Sequence, residues 1–250
     1  LTGSRVDLLG DIEIDGSGSS IGSGGGDGGS LSVDAEFGDI TVARNMLCVG
    51  AGPDGSGGSI DFIARGSVVI QSTGFMTVRT DGIQGDGGAI DIEAGVNFSN
   101  AAILEASGGS GGGTVDIVTG RDMTLNSRLD IAGLNPGSFG GDVFLFAGSL
   151  GSGNVTINDR IDVGGAGCSL ELGCSLGGST DITGCNVTVS TTGNVTARGA
   201  SGGINKLTAR VLLTILGPTE ATRTDALGID GSNTFRHPTA HPAVVTGAVT

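Results

Sequence analysis

The sequence predicts an all-β fold, a single-stranded parallel β-helix (β-solenoid) of about 7–8 coils with roughly 25–30 residues each. Three observations predict it. Glycine supplies 51 of the 250 residues, a Gly-Gly motif recurs with a period of about 29 residues, and apolar and polar residues alternate after each motif. So much glycine disfavours helices, and glycine does not occupy every third position as collagen requires. Hydrophobic residues make up 37% of the chain, which is enough for a core, so we expect a folded protein rather than a disordered one.

The Gly-Gly motifs align the repeats. The second glycines, taken as anchors, are Gly29, Gly58, Gly88, Gly113, Gly141, Gly178 and Gly203, with spacings of 29, 30, 25, 28, 37 and 25 residues. Two residues after the first five anchors stand Leu31, Ile60, Ile90, Val115 and Val143, followed in the last two repeats by Thr180 and Asn205. Four residues after the anchors stand Val33, Phe62, Ile92, Ile117, Leu145, Ile182 and Leu207. Six residues after them stand Ala35, Ala64, Ala94, Thr119, Ala147, Gly184 and Ala209. These columns predict two buried apolar ladders and a ladder of small residues at a bend.

The alternation places one face of each first strand in the core. Further short alternating segments, such as 68–71 and 76–79, indicate two or three strands in each coil. Coils that stack about 4.8 Å apart turn equivalent residues into ladders along the axis. We expect the Gly-Gly pairs to turn the corners with positive φ, a conformation that β-branched residues resist.

Charge and hydropathy exclude several classes of partner. The net charge is −14, with 26 acidic residues against 12 Lys and Arg, so nucleic acid and anionic membrane surfaces are not expected partners. No stretch approaches the length of a membrane-spanning segment. The chain starts Leu1-Thr2-Gly3, without an initiator methionine or a signal peptide, so we expect a processed or partial product.

The phrase GG-x-[IV]-D-[IV]-x-A-x-G, as in GGSIDFIARG and GGAIDIEAGV, followed by a second alternating strand, resembles the repeats of filamentous-haemagglutinin-type adhesins. It is also similar to other right-handed parallel β-helix surface proteins of bacteria. The resemblance covers roughly residues 28–203 in seven approximate copies. It implies an exported, extracellular or cell-surface protein with a role in adhesion, matrix or filament structure.

Candidate functional residues fall in the polar column three residues after the anchors. Asp61, Asp91 and Asp116 would place three carboxylates on one outer face in successive coils, where like charges repel and a bound Ca²⁺ could relieve the repulsion. The alternative is that all three are simply solvated. The sequence shows no Lys or Arg cluster beside this ladder, no Trp or Tyr to stack on a sugar, and no Ser, His and Asp set. We therefore expect no enzymatic activity, no catalytic residue and no cofactor.

Three cysteines cluster in the repeat that is stretched to 37 residues. Cys168 and Cys174 bracket the extra residues, and Cys185 follows in the next coil. A disulfide is expected here, between Cys168 and Cys174 or between either and Cys185, and it favours an oxidising compartment. Cys48 lies several coils away and is expected to be a buried single thiol.

The ends of the solenoid carry no recognisable cap. We assign residues 1–216 to the parallel β-helix and 217–250 to the last coil and a C-terminal tail. Open edges recruit other chains, so the chain is either a slice of a longer adhesin or a subunit that stacks end to end. In the second case Ala243, Val244, Val245 and Thr246 are candidates for an inter-subunit strand.

The sequence thus favours an extracellular structural β-solenoid, a rod-like subunit or segment of a cell-surface filament or adhesin. A carbohydrate-binding or polysaccharide-degrading β-helix is the first alternative, which a face with a compact cluster of carboxylates and arginines would favour. A calcium-stabilised matrix protein is the second alternative.

Overall fold

A computed structural model shows the chain as a parallel β-solenoid, which confirms the predicted fold class. The structure describes residues 2–17, 24–80, 82–169, 173–226, 228–238 and 243–250. Every strand pair between coils is parallel, and no helix occurs among these residues. Accordingly, none of the described segments is a helix long and apolar enough to cross a membrane.

Each coil contributes strands to three faces. The first face consists of Thr2–Gly3, Ser30–Ala35, Ser59–Ala64, Ala89–Ala94, Thr114–Thr119, Asp142–Ala147, the start of Ser179–Val189, the start of Ile204–Ile215, and Ser232–Arg236. The second face consists of Val6–Leu8, Ile40–Val42, Val68–Ile70, Phe98–Asn100, Met123–Leu125, Val155–Ile157, the ends of the two long strands, and Ala243–Val245. The third face consists of Ile12–Glu13, Met46–Leu47, Met76–Thr77, Leu104–Glu105, Leu129–Asp130, Arg160–Asp162, Asn194–Thr196 and Thr219–Glu220. Seven complete coils therefore run from residue 30 to residue 220, and shorter strands extend the stack at both ends.

The predicted columns are the ladders of the core. Val33, Phe62 and Ile92 are direct Cα partners in successive coils, and the same register continues through Ile117 to Leu207. All members of this column are buried. The small column follows the same register and is buried as well, since it lies where the strand leaves the first face. The core is thus one continuous apolar interior along the axis.

Asn205 is a polar residue inside this interior. It is fully buried in the column of Leu31 and Ile60, and its side chain bonds Thr180 Oγ1, the Glu220 carbonyl and Asn233 Oδ1 at 2.9 Å each. Buried polar groups of this kind are tolerated because they are paired. The replacement of apolar residues by Thr180 and Asn205 therefore forms a hydrogen-bonded ladder rather than a break in the core.

The expectation of positive φ at the Gly-Gly pairs is wrong. Among the described residues, positive φ occurs at Gly24, Gly52, Gly137, Gly148, Gly151 and Gly167, and none of these is an anchor. The pairs are glycine because the backbones of two coils meet there. A Cβ on Gly88 would overlap the carbonyl oxygen of Gly58 and come within 2.8 Å of the carbonyl oxygen of Val78.

The anchor glycines also close each coil. Gly88 N donates to Val78 O at 2.7 Å, and Gly178 N donates to Val163 O at 2.7 Å, so the chain returns to a fixed point after leaving the third face. The loop between these two points varies in length without disturbing the stack. The 37-residue repeat carries its additional residues in this loop, as the antiparallel hairpin of Cys168–Ser169 and Gly173–Cys174.

Candidate functional site

The outer surface of the first face bears the predicted acidic ladder. Asp61, Asp91 and Asp116 are direct Cα partners in three successive coils, as the anchor spacing predicts. Together with Ile63, Glu93 and Val118 they line a shallow groove of about 380 Å³. The groove is therefore acidic along one column and mixed apolar and acidic along the next.

The carboxylates of this ladder repel one another, because like charges occupy neighbouring coils. Burial and the neighbouring Asp61 raise the pKa of Asp91, while burial and Asp91 raise the pKa of Asp116. Oδ1 of Asp116 is buried and accepts no hydrogen bond. In the part of the chain that the structure describes, however, no three His, Cys, Asp or Glu side chains are grouped closely enough to hold a metal ion. The geometry therefore lends no support to calcium at these three residues.

The same face changes character further along the axis. Phe144 continues the column of Asp61 and Asp91, and its side chain is 40% exposed. Beyond it, Lys206 Nζ lies 2.6 Å from Asp181 Oδ2, and Arg210 stands over the ring of Phe146 at 6.0 Å. The first face thus changes from mainly acidic coils to coils in which carboxylates, aromatic rings and cations occur together.

The third face contains a network of carboxylates and arginines that the sequence analysis missed. Asp130 and Asp162 are Cα partners in neighbouring coils. Arg128 Nε lies 3.7 Å from Asp130 Oδ2, and Arg160 bridges both aspartates at 3.9 and 3.3 Å. Burial, Asp162 and Glu105 together raise the pKa of Asp130 more than Arg128 and Arg160 lower it. The sequence contains a pattern from which the network could have been found. The segments Ser-Arg-Leu-Asp-Ile-Ala-Gly and Asp-Arg-Ile-Asp-Val-Gly-Gly are similar and lie 32 residues apart, which is one repeat.

A groove of about 290 Å³ adjoins this network. Its polar lining includes Arg160, Asp162, Asn194, Thr196 and Arg198. Several glycines complete the wall, which lets a ligand approach the backbone closely. Arg198 is held on its far side by an ion pair with Glu220. The groove therefore presents two fixed guanidinium groups, a carboxylate, an amide and a hydroxyl, a set that suits a polar, hydroxyl-bearing ligand.

The cysteine cluster is divided between a disulfide and a free thiol. Cys168 and Cys174 are disulfide-bonded across the hairpin with their Cα atoms 4.0 Å apart, whereas Cys185 is free and partly exposed. Cys185 lies where the two long strands shift register at the corner between the first and second faces. Cys48 is a buried free thiol, as expected, and burial followed by the charge of Asp15 raises its pKa to about 11.

The candidate inter-subunit residues belong to the last coil. Ala243–Val245 is a parallel strand paired with Leu213, Thr214 and Ile215, and Thr246 N donates to Ile215 O at 2.9 Å. No described residue pairs with the opposite edge of this strand. Their role between subunits remains a prediction.

Comparison of the chain with protein-family models, with curated proteins and with solved structures found no match.

Proposed function

We propose that this chain is a rod-shaped structural segment of an exported cell-surface or extracellular filament or adhesin, as the likeness of its repeats to filamentous-haemagglutinin-type proteins implies. The observation that carries the proposal is the unbroken parallel register of the first face, which runs through nine strands from residue 2 to residue 236. Nine rungs correspond to a rod of roughly 40 Å. A continuous stack with one shared core resists bending, and this is the property that a filament or adhesin stalk needs.

The edges of the end strands support a role within a longer rod. Thr2–Gly3 pairs only with the second coil, and Ser232–Arg236 pairs only with Ile204–Ile215, as far as the described residues show. Each free edge offers parallel hydrogen-bonding groups to a further coil. That coil can come from a longer form of the same chain or from a second copy, so we propose end-to-end association as the means of extension.

The disulfide supports the proposed location. Such bonds persist in oxidising compartments and are rare in the cytosol. The proposal contains no catalytic step, no nucleic-acid partner and no membrane insertion, and the net charge of −14 disfavours polyanionic partners.

Surface labelling of intact cells that make the protein tests the proposal. We expect antibodies to this chain to label intact cells, external protease to remove the signal, and Cys168 and Cys174 to resist alkylation until a reductant is added. Cys185, which is partly exposed, is the internal control because it should be alkylated without reductant. Labelling only after lysis, with all three thiols reduced, would overturn the proposed location and role.

A second candidate function is carbohydrate binding, favoured by the network of Asp130, Asp162, Arg128 and Arg160 and by the groove beside it. The groove itself is lined by two arginines, Arg160 and Arg198, by one carboxylate, Asp162, and by the uncharged Asn194 and Thr196, so it suits a neutral, hydroxyl-rich chain despite the overall negative charge. A panel of neutral polysaccharides tests it by affinity electrophoresis and by release of reducing ends. Arg160→Ala should abolish retention, whereas Arg65→Ala, an exposed arginine outside the groove, should not. No retention by the wild-type protein would exclude this function for the panel tested.

A further inference from the structure

The outer surface of the second face presents a row of hydroxyl groups along the solenoid axis. In five successive coils the outward residue at the centre of the second-face strand is serine or threonine, and each is the direct Cα partner of the next: Ser99, Thr124, Thr156, Thr188 and Thr214. Each is partly exposed, and both of its neighbours in the strand are buried. Coils about 4.8 Å apart therefore repeat the same group at a constant step. We call these five residues the hydroxyl rank.

A second rank runs beside the first, two residues further along each coil, and consists of Ala101, Asn126, Asn158, Ser190 and Leu216. The backbone register continues into it, because the amides of Asn158 and Ser190 donate to the preceding coil at 2.8 and 2.9 Å. Within this rank, Asn158 Nδ2 donates to Asn126 Oδ1 at 2.9 Å. The two ranks together form a strip that is two side chains wide and five coils long.

The strip bears no charged residue, although the chain carries 26 acidic and 12 basic residues. Charged residues stand at its borders, with Asp122 on one side and Asp159 on the other. Oδ1 of Asp122 accepts the backbone amide of Asn154 at 2.9 Å, and Oδ1 of Asp159 accepts the amide of Arg160 at 2.8 Å. The border carboxylates are thus already bonded to the backbone, and the strip between them is neutral.

The hydroxyl groups of the rank are available to bond outward. None of the five makes a hydrogen bond to another residue in the part of the chain that the structure describes. At the neighbouring corner, by contrast, Thr73 and Thr192 each donate to a carbonyl oxygen of the preceding coil. Threonine is stiff at χ1, so the four threonines hold their hydroxyl and methyl groups in place before any ligand binds. Such preorganisation lowers the entropy lost on binding.

We propose that this strip binds ice, the uncharged crystal lattice of water. The repeat of about 4.8 Å between coils is close to the step between equivalent oxygen atoms in hexagonal ice. Successive hydroxyls of the rank therefore meet equivalent positions of the lattice, and the methyl groups of the threonines lie against the water between them.

Charge complementarity supports this occupant. A neutral strip matches a neutral lattice, whereas the carboxylates of the first face, such as Asp61 and Asp91, keep hydration shells of their own. A flat polysaccharide surface fits less well, because the ten residues of the strip include no aromatic ring on which a sugar could stack. The proposal goes beyond the structural role of the rod, and neither depends on the other.

Ice growth in a solution of the purified full chain tests the proposal. The wild-type protein should hold a seeded ice crystal from growing at temperatures below its melting point, and it should be enriched in ice that is frozen slowly from the solution. Thr188→Tyr should abolish both effects, because the ring holds the lattice away from Thr156 and Thr214. Thr183→Tyr is the matched control, since Thr183 is a partly exposed threonine of the same strand, Ser179–Val189, on the first face. It should behave as the wild type, and circular dichroism confirms that both variants are folded.

A charged variant and a second probe complete the test. Thr188→Asp should also abolish enrichment in ice, because it breaks the neutrality of the strip without adding bulk. Crystalline cellulose and chitin serve as the second probe, and retention on either without enrichment in ice would overturn the proposal and assign the strip to a polysaccharide. A wild-type protein that is not enriched in ice, or a folded Thr188→Tyr variant enriched as strongly as the wild type, would also overturn it.

Discussion

Gly88 shows how strongly the neighbouring coil constrains a single residue. Its amide donates to Val78 O at 2.7 Å, and a Cβ built on it would overlap the carbonyl oxygen of Gly58. Both obstacles are backbone atoms, which cannot move aside as a flexible side chain can. Gly10 lies in the first coil with nothing within 4 Å of a Cβ.

We therefore predict that Gly88→Ala lowers the free energy of unfolding by about 3 kcal/mol, because the new methyl group forces two coils apart. Gly10→Ala should change it by no more than about 0.5 kcal/mol, as surface substitutions do. Urea denaturation followed by circular dichroism measures both. Equal stability of the two variants would show that the corners are not close-packed.

The charge of Asp116 lowers the free energy of unfolding at neutral pH. Burial and Asp91 raise its pKa in the folded state, so the folded protein binds the proton more tightly than the unfolded chain. Stability therefore falls as the pH rises from below the ordinary value of 3.8 through the raised folded value. Above that window the folded state carries the full cost of the charged ladder.

Asp116→Asn removes this cost. We predict that it raises the free energy of unfolding by less than about 1 kcal/mol at pH 7, since solvent screens the charge of a partly exposed group. The gain should disappear below pH 3.8, where the carboxyl group is protonated in both states. Asp34→Asn is the matched control, because the neighbours of Asp34 in its own column are Thr2 and Ile63 and neither is a carboxylate. Thermal melts at several pH values distinguish the two, and a gain that persists at low pH would exclude the electrostatic explanation.

At the scale of the element, the strands could be predicted from sequence better than the corners. The columns of Val33 and Ala35 predicted both the register and the burial of the first face, because the alternation of apolar and polar residues and the repeat period agree there. The reason for the Gly-Gly pairs could not be predicted, since it depends on backbone contacts between coils and not on local conformation. The third-face strands have only two or three residues, too short for alternation to reveal that Arg160 meets Asp130.

The hairpin at Cys168 and Cys174 is an element outside the stack. Its base is fixed by the bond from Gly178 N to Val163 O, so the coil closes whether or not the disulfide is present. We predict that Cys168→Ser/Cys174→Ser lowers stability by no more than about 2 kcal/mol, the value expected for closing so short a loop.

Limited proteolysis with mass spectrometry checks the location of the effect. Cleavage of the double variant should occur within the hairpin while the coils stay intact, and Cys185→Ser, which breaks no disulfide, should show the wild-type pattern. Cleavage spread over several coils would mean that the disulfide supports the core itself.

At the scale of the molecule, the proposed extension uses backbone groups at the edges of Thr2–Gly3 and Ala243–Val245. It lengthens the rod without changing its width.

Val245 is the residue at which extension can be blocked without breaking the coil. Thr246 N donates inward to Ile215 O, and successive amides of a parallel strand alternate in direction, so the amide of Val245 points to the free edge. Proline at 245 removes that donor while preserving the inward bonds, and proline is tolerated on edge strands. We predict that wild-type rods lengthen with concentration in steps of roughly 40 Å and that Val245→Pro rods keep a single length. Val245→Thr, which preserves the amide, is the control. Negative-stain electron microscopy measures the lengths, and variant rods that still lengthen would place the growing edge elsewhere.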